Sequence, residues 1–86
     1  RFVTPVQVGQ RVKGTYMSKP FIGVVIGMQL TPPHFQVTVK FDQPVNVSKF
    51  ASMVHNRQRV VATVDVRGVS LSHTSDGEPH MRIQRL

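Results

Sequence analysis

Residues 35–42 read FQVTVKFD, and this stretch decides the fold class. Phe35, Val37, Val39 and Phe41 alternate with Gln36, Thr38, Lys40 and Asp42. Successive side chains of a strand point to opposite faces, so the alternation predicts a strand with one buried face and one wet face. Upstream, FIGVVIGMQL (21–30) is apolar on both faces, as a strand covered on both sides would be. Gly23 and Gly27 within it suggest close backbone approach or a bend. QVGQRVKGTY (7–16) supplies another strand, with Val8, Val12 and Tyr16 inward and Arg11, Lys13 and Thr15 outward. Downstream, RVVATVDV (59–66) and GVSLS (68–72) read as two more, broken at Arg67-Gly68. HMRIQRL (80–86) is a sixth, entered from a turn at TSDGEP (74–79), where Asp-Gly is a favoured hairpin dipeptide.

The punctuation agrees. Pro20, Pro32, Pro33, Pro44 and Pro79 fall between the runs, where a missing amide proton does no harm. SKFASMVHNRQ (48–58) is the single stretch suited to a short helical turn, capped by Asn46 or Ser48. No repeat, linker or low-complexity tract divides the chain. The expectation is therefore one mainly β domain over residues 1–86: a small closed barrel of five or six strands, SH3-like or alternatively OB-like. Closure would remove the free edges that a valine-rich chain otherwise offers for aggregation.

Composition narrows the function classes. The chain has 86 residues and no cysteine, which removes disulfides and thiolate metal sites and fits a reducing cytoplasm. A chain this short is marginally stable on its own, so oligomerisation stays open. Eleven Lys and Arg stand against four Asp and Glu, a formal charge of +7. Such a field draws nucleic acid or an acidic protein partner. No run approaches the ~20 apolar residues of a membrane helix. The opening RFVTPVQVGQ has no signal-peptide pattern, although a start on Arg1 leaves an earlier leader open.

Val8-Gly9-x-Arg11-Val12, a loop, and Gly23-Val24-Val25-x-Gly27 resemble the KOW-type motif of SH3-like barrels in ribosomal proteins and transcription elongation factors. The resemblance covers residues 8–28 and implies a basic first strand whose loop, GTYMSKPF (14–21), reaches RNA or protein. It makes Arg11, Lys13, Tyr16 and Lys19 contact candidates, with Gly23 and Gly27 structural. The same stretch resembles the plasmid-borne type II dihydrofolate reductases. Those carry a Val-Gln-Ile-Tyr run where this chain has VNVSKF (45–50), so the enzyme reading fails at the residues that would do the chemistry. More loosely, the chain is similar to small basic modules encoded on bacterial plasmids and phages.

The remaining candidates are read from the residues alone. HNRQR (55–59) places two arginines and two amides together with no acid, and the arginine fork suits phosphate. With Arg11 and Lys13 projecting from one face about 6.5–7 Å apart, the expected phosphate-gripping set is Arg11, Lys13, Tyr16, Lys19, Lys40, Arg57 and Arg59. Aromatics are too few for single-strand stacking, which favours RNA or duplex DNA held by its backbone. His73 and His80 flank Asp76 and Glu78, but an Asp-Gly turn accounts for that cluster without a metal. Ser70, Ser72 and Ser75 form no nucleophile elbow. The expectation is a non-enzymatic nucleic-acid-binding module without cofactor or metal, and alternatively a protein-interaction module.

Overall fold

The computed structural model describes residues 5–50 and 53–86. Five strands make one antiparallel sheet: β1 (Arg11–Tyr16), β2 (Lys19–Thr31), β3 (His34–Phe50), β4 (Met53–Val64) and β5 (Met81–Arg85). Their order across the sheet is β4-β3-β2-β1-β5. The mainly β expectation holds, and no helix occurs among the described residues.

The alternation of 35–42 is realised as read. Phe35, Val37, Val39 and Phe41 are buried on one face, packed with Val12, Val25 and Ile83. Phe21, Val45, Met81, Val60, Val64 and Val6 complete the core. Burial of each such side chain contributes roughly 1.5–3 kcal/mol. The Phe21 and Phe41 rings meet with centroids 4.5 Å apart, and Tyr16 packs on Phe41 at 5.8 Å.

Four features of the expected architecture are corrected. The sheet does not close into a barrel of SH3-like or OB-like type: β4 and β5 are its two edges, with no ladder between them. GVSLS is not a strand of its own. Asp65 Oδ1 accepts the Arg67 and Val69 amides, and Gly68 adopts φ +81°, so the chain turns at once. Only single bridges remain, Val64 to Ser70 and Val69 to Arg82. The stretch 48–58 is not helical either; β3 and β4 continue through its described residues as a two-stranded arm, paired from Val45↔Arg57 to Phe50↔Met53. Strands that run outward in this way are not available to curl back onto β5. Finally, Val8 is 58% exposed rather than inward. Gly9 turns the chain at φ +89°, so β1 begins only at Arg11 and Val6 takes the inward place.

The polar tip between β1 and β2 is shorter than its sequence suggests. Strand pairing runs to Tyr16↔Lys19, leaving a two-residue turn at Met17 and Ser18, both with positive φ (52° and 68°). That is the backbone of the turn whose twist suits a tight hairpin, here held by non-glycine residues at some conformational cost. Tertiary support comes from the Met17 amide, which donates to the His80 carbonyl at 2.8 Å.

Candidate functional site

The site begins where β3 stops alternating. β2 and β3 pair from Thr31↔His34 as far as Gly23↔Phe41, and no further. A Cβ on Gly23 would lie 2.4 Å from the Lys40 carbonyl oxygen, so the two backbones touch at the point where they part. On its other side, β3 loses register with β4 between Lys40↔Arg59 and Val45↔Arg57. Residues Phe41–Pro44 thus face a single residue of β4, a large bulge of the kind that re-aims side chains beside functional sites. Pro44 fits there because it has no amide to contribute to a ladder.

The separation opens a cavity of about 600 Å³ between the start of β2 and the bulge of β3. Lys19, Pro20, Phe21 and Ile22 form one wall, and Asp42, Gln43, Pro44 and Val45 the other. Its volume lies within the range of small-molecule sites. Most of the lining is apolar, with the Lys19 ammonium and the Gln43 amide as polar handles. Asp42 is already engaged. Its carboxylate accepts both Arg11 guanidinium nitrogens, at 2.7 and 2.5 Å. Hydrogen bonding from Arg11 holds the Asp42 carboxyl below its ordinary range, against a small opposing effect of desolvation. The same contact raises the Arg11 pKa. Asp42 is therefore ionised and is a poor proton acceptor at neutral pH.

The expected contact residues separate. Arg11 faces outward as read but is spent on Asp42. Tyr16 is partly buried, packed against the core. Among the described side chains of the set, Lys19 is the one that lines the cavity. Lys13, Lys40 and Arg59 are exposed on the outer face of the sheet. The side chain of Arg57 lies outside the described residues, as does that of His55. The sequence reading did not single out Phe21, Gln43 and Pro44 as one site. The available signal was Pro44 interrupting an apolar β run after FQVTVKFD.

In the turn at 73–80, hydrogen bonds among Thr74, Asp76 and Glu78 occupy the Asp76 carboxylate. The Asp76 carboxylate accepts the Thr74 hydroxyl and the Glu78 amide, and Glu78 lies 3.6 Å from Arg82. Hydrogen bonds from Thr74 and the Glu78 amide hold the Asp76 carboxyl below its ordinary range. Among the described residues, no three His, Asp or Glu side chains are placed to share a metal ion. No helix among them is long and apolar enough to cross a membrane.

Comparison with known proteins then decides between families. A family model described as "Glyoxalase superfamily protein" matches residues 1–85. No curated protein and no solved structure matches the chain. The family match overturns the KOW-type resemblance, which rested on a Gly-Val pattern over residues 8–28 that β-proteins share widely, and on a loop that proves to be a two-residue turn. It overturns the nucleic-acid-binding reading as well, since the family's fold is enzyme-like or small-molecule-binding. Of the expected phosphate track, Arg11 is paired with Asp42 and Tyr16 is partly buried against the core.

Proposed function

The chain belongs to the glyoxalase superfamily, and from that premise we propose that it binds a small organic anion in the cleft between β2 and β3. The observation that carries this reading is the parting of the two strands after Gly23↔Phe41, which leaves a cavity with an apolar wall and the Lys19 ammonium beside it. The ligand has an apolar body, to lie on Phe21, Ile22 and Pro44, and a carboxylate or phosphate within reach of Lys19. Gln43 supplies a directional hydrogen bond that fixes orientation.

The superfamily includes enzymes and non-enzymatic members alike. We assign this chain a binding role rather than a catalytic one. The cleft's carboxylate is held ionised by Arg11, and among the described lining residues the Lys19 ammonium is the only other titratable side chain. General acid–base chemistry needs groups whose pKa values approach the operating pH.

The test is thermal unfolding in the presence of benzoate, hexanoate and phenyl phosphate, each against chloride at matched ionic strength. A ligand at a hundred times its Kd stabilises by about 2.7 kcal/mol, a clear rise in midpoint. At least one amphipathic anion should raise it, and Lys19→Gln should weaken that effect roughly tenfold in apparent Kd while leaving the ligand-free midpoint in place. No rise with any of the three, or an effect indifferent to Lys19→Gln, overturns the assignment.

A further inference from the structure

We propose that the outer face of the sheet is a docking surface for an acidic polypeptide segment that also carries apolar side chains. The inference concerns the outer face of the sheet, which shares Ile22 with the rim of the cleft, and its occupant is distinct from the ligand assigned there.

Register places the face unambiguously. Arg11 lies opposite Val24, Val24 opposite Lys40, and Lys40 opposite Arg59, a row crossing four strands. One step along, Lys13 lies opposite Ile22; on the other side, Thr38 lies opposite Val61. Ile22 is 47% exposed and Val61 57%, and Ile26 in the β2 bulge is 39% exposed. The inward alternates of these strands already fill the core, so the fold does not need large apolar side chains here.

Three observations name the occupant. β1 to β4 carry one carboxylate, Asp42, and Arg11 neutralises it, so Lys13, Lys40 and Arg59 leave the face positive. Lys40 and Arg59 are also direct cross-strand neighbours. Like charges in that arrangement destabilise a sheet, and an acidic side chain seated between them would offset the repulsion. Finally, the cations surround exposed isoleucine and valine. A phosphate backbone gains nothing from those apolar groups, and a second copy of the face would meet charge of its own sign. A segment alternating acidic and apolar residues satisfies both components at once.

The test uses the full chain and fluorescence anisotropy. The probe is a labelled peptide of alternating Glu and Ile, compared with oligoglutamate, a duplex DNA and vesicles containing phosphatidylserine. The alternating peptide should bind at least about tenfold more tightly than each of the other three. Lys40→Glu should weaken peptide binding by about tenfold or more while holding or raising the thermal midpoint, because it converts a repulsive cross-strand pair into an attractive one. Val61→Ser should weaken peptide binding with the midpoint little changed. A merely structural role for Lys40 could not move binding and stability in opposite directions. The proposal is overturned if the peptide does not bind or oligoglutamate binds equally well. Preference for DNA or vesicles, or binding unchanged in both variants, overturns it too.

Discussion

The two halves of β3 follow different rules. From His34 to Phe41 the strand is paired with β2, apart from the β2 bulge at Ile26, and from Phe35 to Lys40 with β4 on the other side. Its alternate side chains Phe35, Val37, Val39 and Phe41 are almost wholly removed from water. From Asp42 onward β2 is no longer a neighbour, and register with β4 resumes only at Val45. The first half holds the molecule together; the junction makes the cavity. The difference teaches that a site can arise in a single sheet by letting one strand leave a partner, with no extra loop or lid.

The largest expected effect lies on the packed side of the junction. Phe41 touches both Phe21 and Tyr16, so Phe41→Ala should destabilise by about 3–5 kcal/mol, measured by denaturant unfolding. For a chain of this size that is a large share of total stability. A cost near zero would show that Phe41 is not the end of the core, and the boundary drawn here would be misplaced.

Next is Gly23→Ala. The new methyl would meet backbone at Lys40 and Phe41, not a movable side chain. Overpacking of this kind costs roughly 1–3 kcal/mol, occasionally more, and here it forces β2 and β3 apart at the rim of the cavity. The variant should therefore lose stability and change anion affinity together. Altered stability with unchanged affinity would separate the junction from the site.

A smaller effect is expected beyond the junction. Gln43 is exposed, so Gln43→Ala should alter stability by no more than about 0.5 kcal/mol. It should nevertheless weaken binding of whichever anion raises the midpoint of the parent protein, read by titration calorimetry. If Gln43→Ala destabilised the protein as Phe41→Ala does, the contrast between the halves would collapse.

The smallest effect concerns pH. Asp42 has its folded pKa depressed by hydrogen bonding from Arg11. Asp65 is also depressed: desolvation pushes it upward, but hydrogen bonds from the Arg67 side chain and from the Val69 and Arg67 amides outweigh it. In both cases the unfolded chain binds the proton more readily. Their contribution is thus present above the unfolded carboxyl pKa of about 3.9 and is lost as pH falls through the lower folded values. Asp42→Asn should lower the midpoint slightly at neutral pH, where the carboxylate's contribution is present, and converge with the parent protein in acid, so that the acid limb of the midpoint-versus-pH curve is slightly flatter. A loss that persisted undiminished at low pH, or no loss at neutral pH, would contradict the assigned ionisation.

Much of the first half of β3 was legible in the sequence, because period-2 alternation is a local signal that tertiary structure confirmed at Phe35, Val37, Val39 and Phe41. The inward place of Val12 followed from the same logic. The second half was not legible. FDQP at 41–44 carries the interruption, but whether a break becomes a turn, a helix or a bulge depends on where β2 and β4 run, which is set by residues remote in the chain. The cations misled for a related reason. Their number is a property of composition, whereas their pairing, Arg11 with Asp42 across the sheet, is a property of register. Lys19 was identified as a contact residue, yet for a phosphate partner and not for the cavity it lines. The family itself was hidden behind a short Gly-Val pattern shared by many β-strands.

The most direct test of the central claim is an amide chemical-shift map of the protein titrated with the stabilising organic anion. The account predicts saturable shifts concentrated on the amides of Lys19, Phe21, Ile22, Asp42 and Gln43, on both sides of the point where β2 and β3 part. Shifts centred instead on Lys13, Lys40 and Arg59 of the outer face, or spread thinly over all the cations, would contradict it.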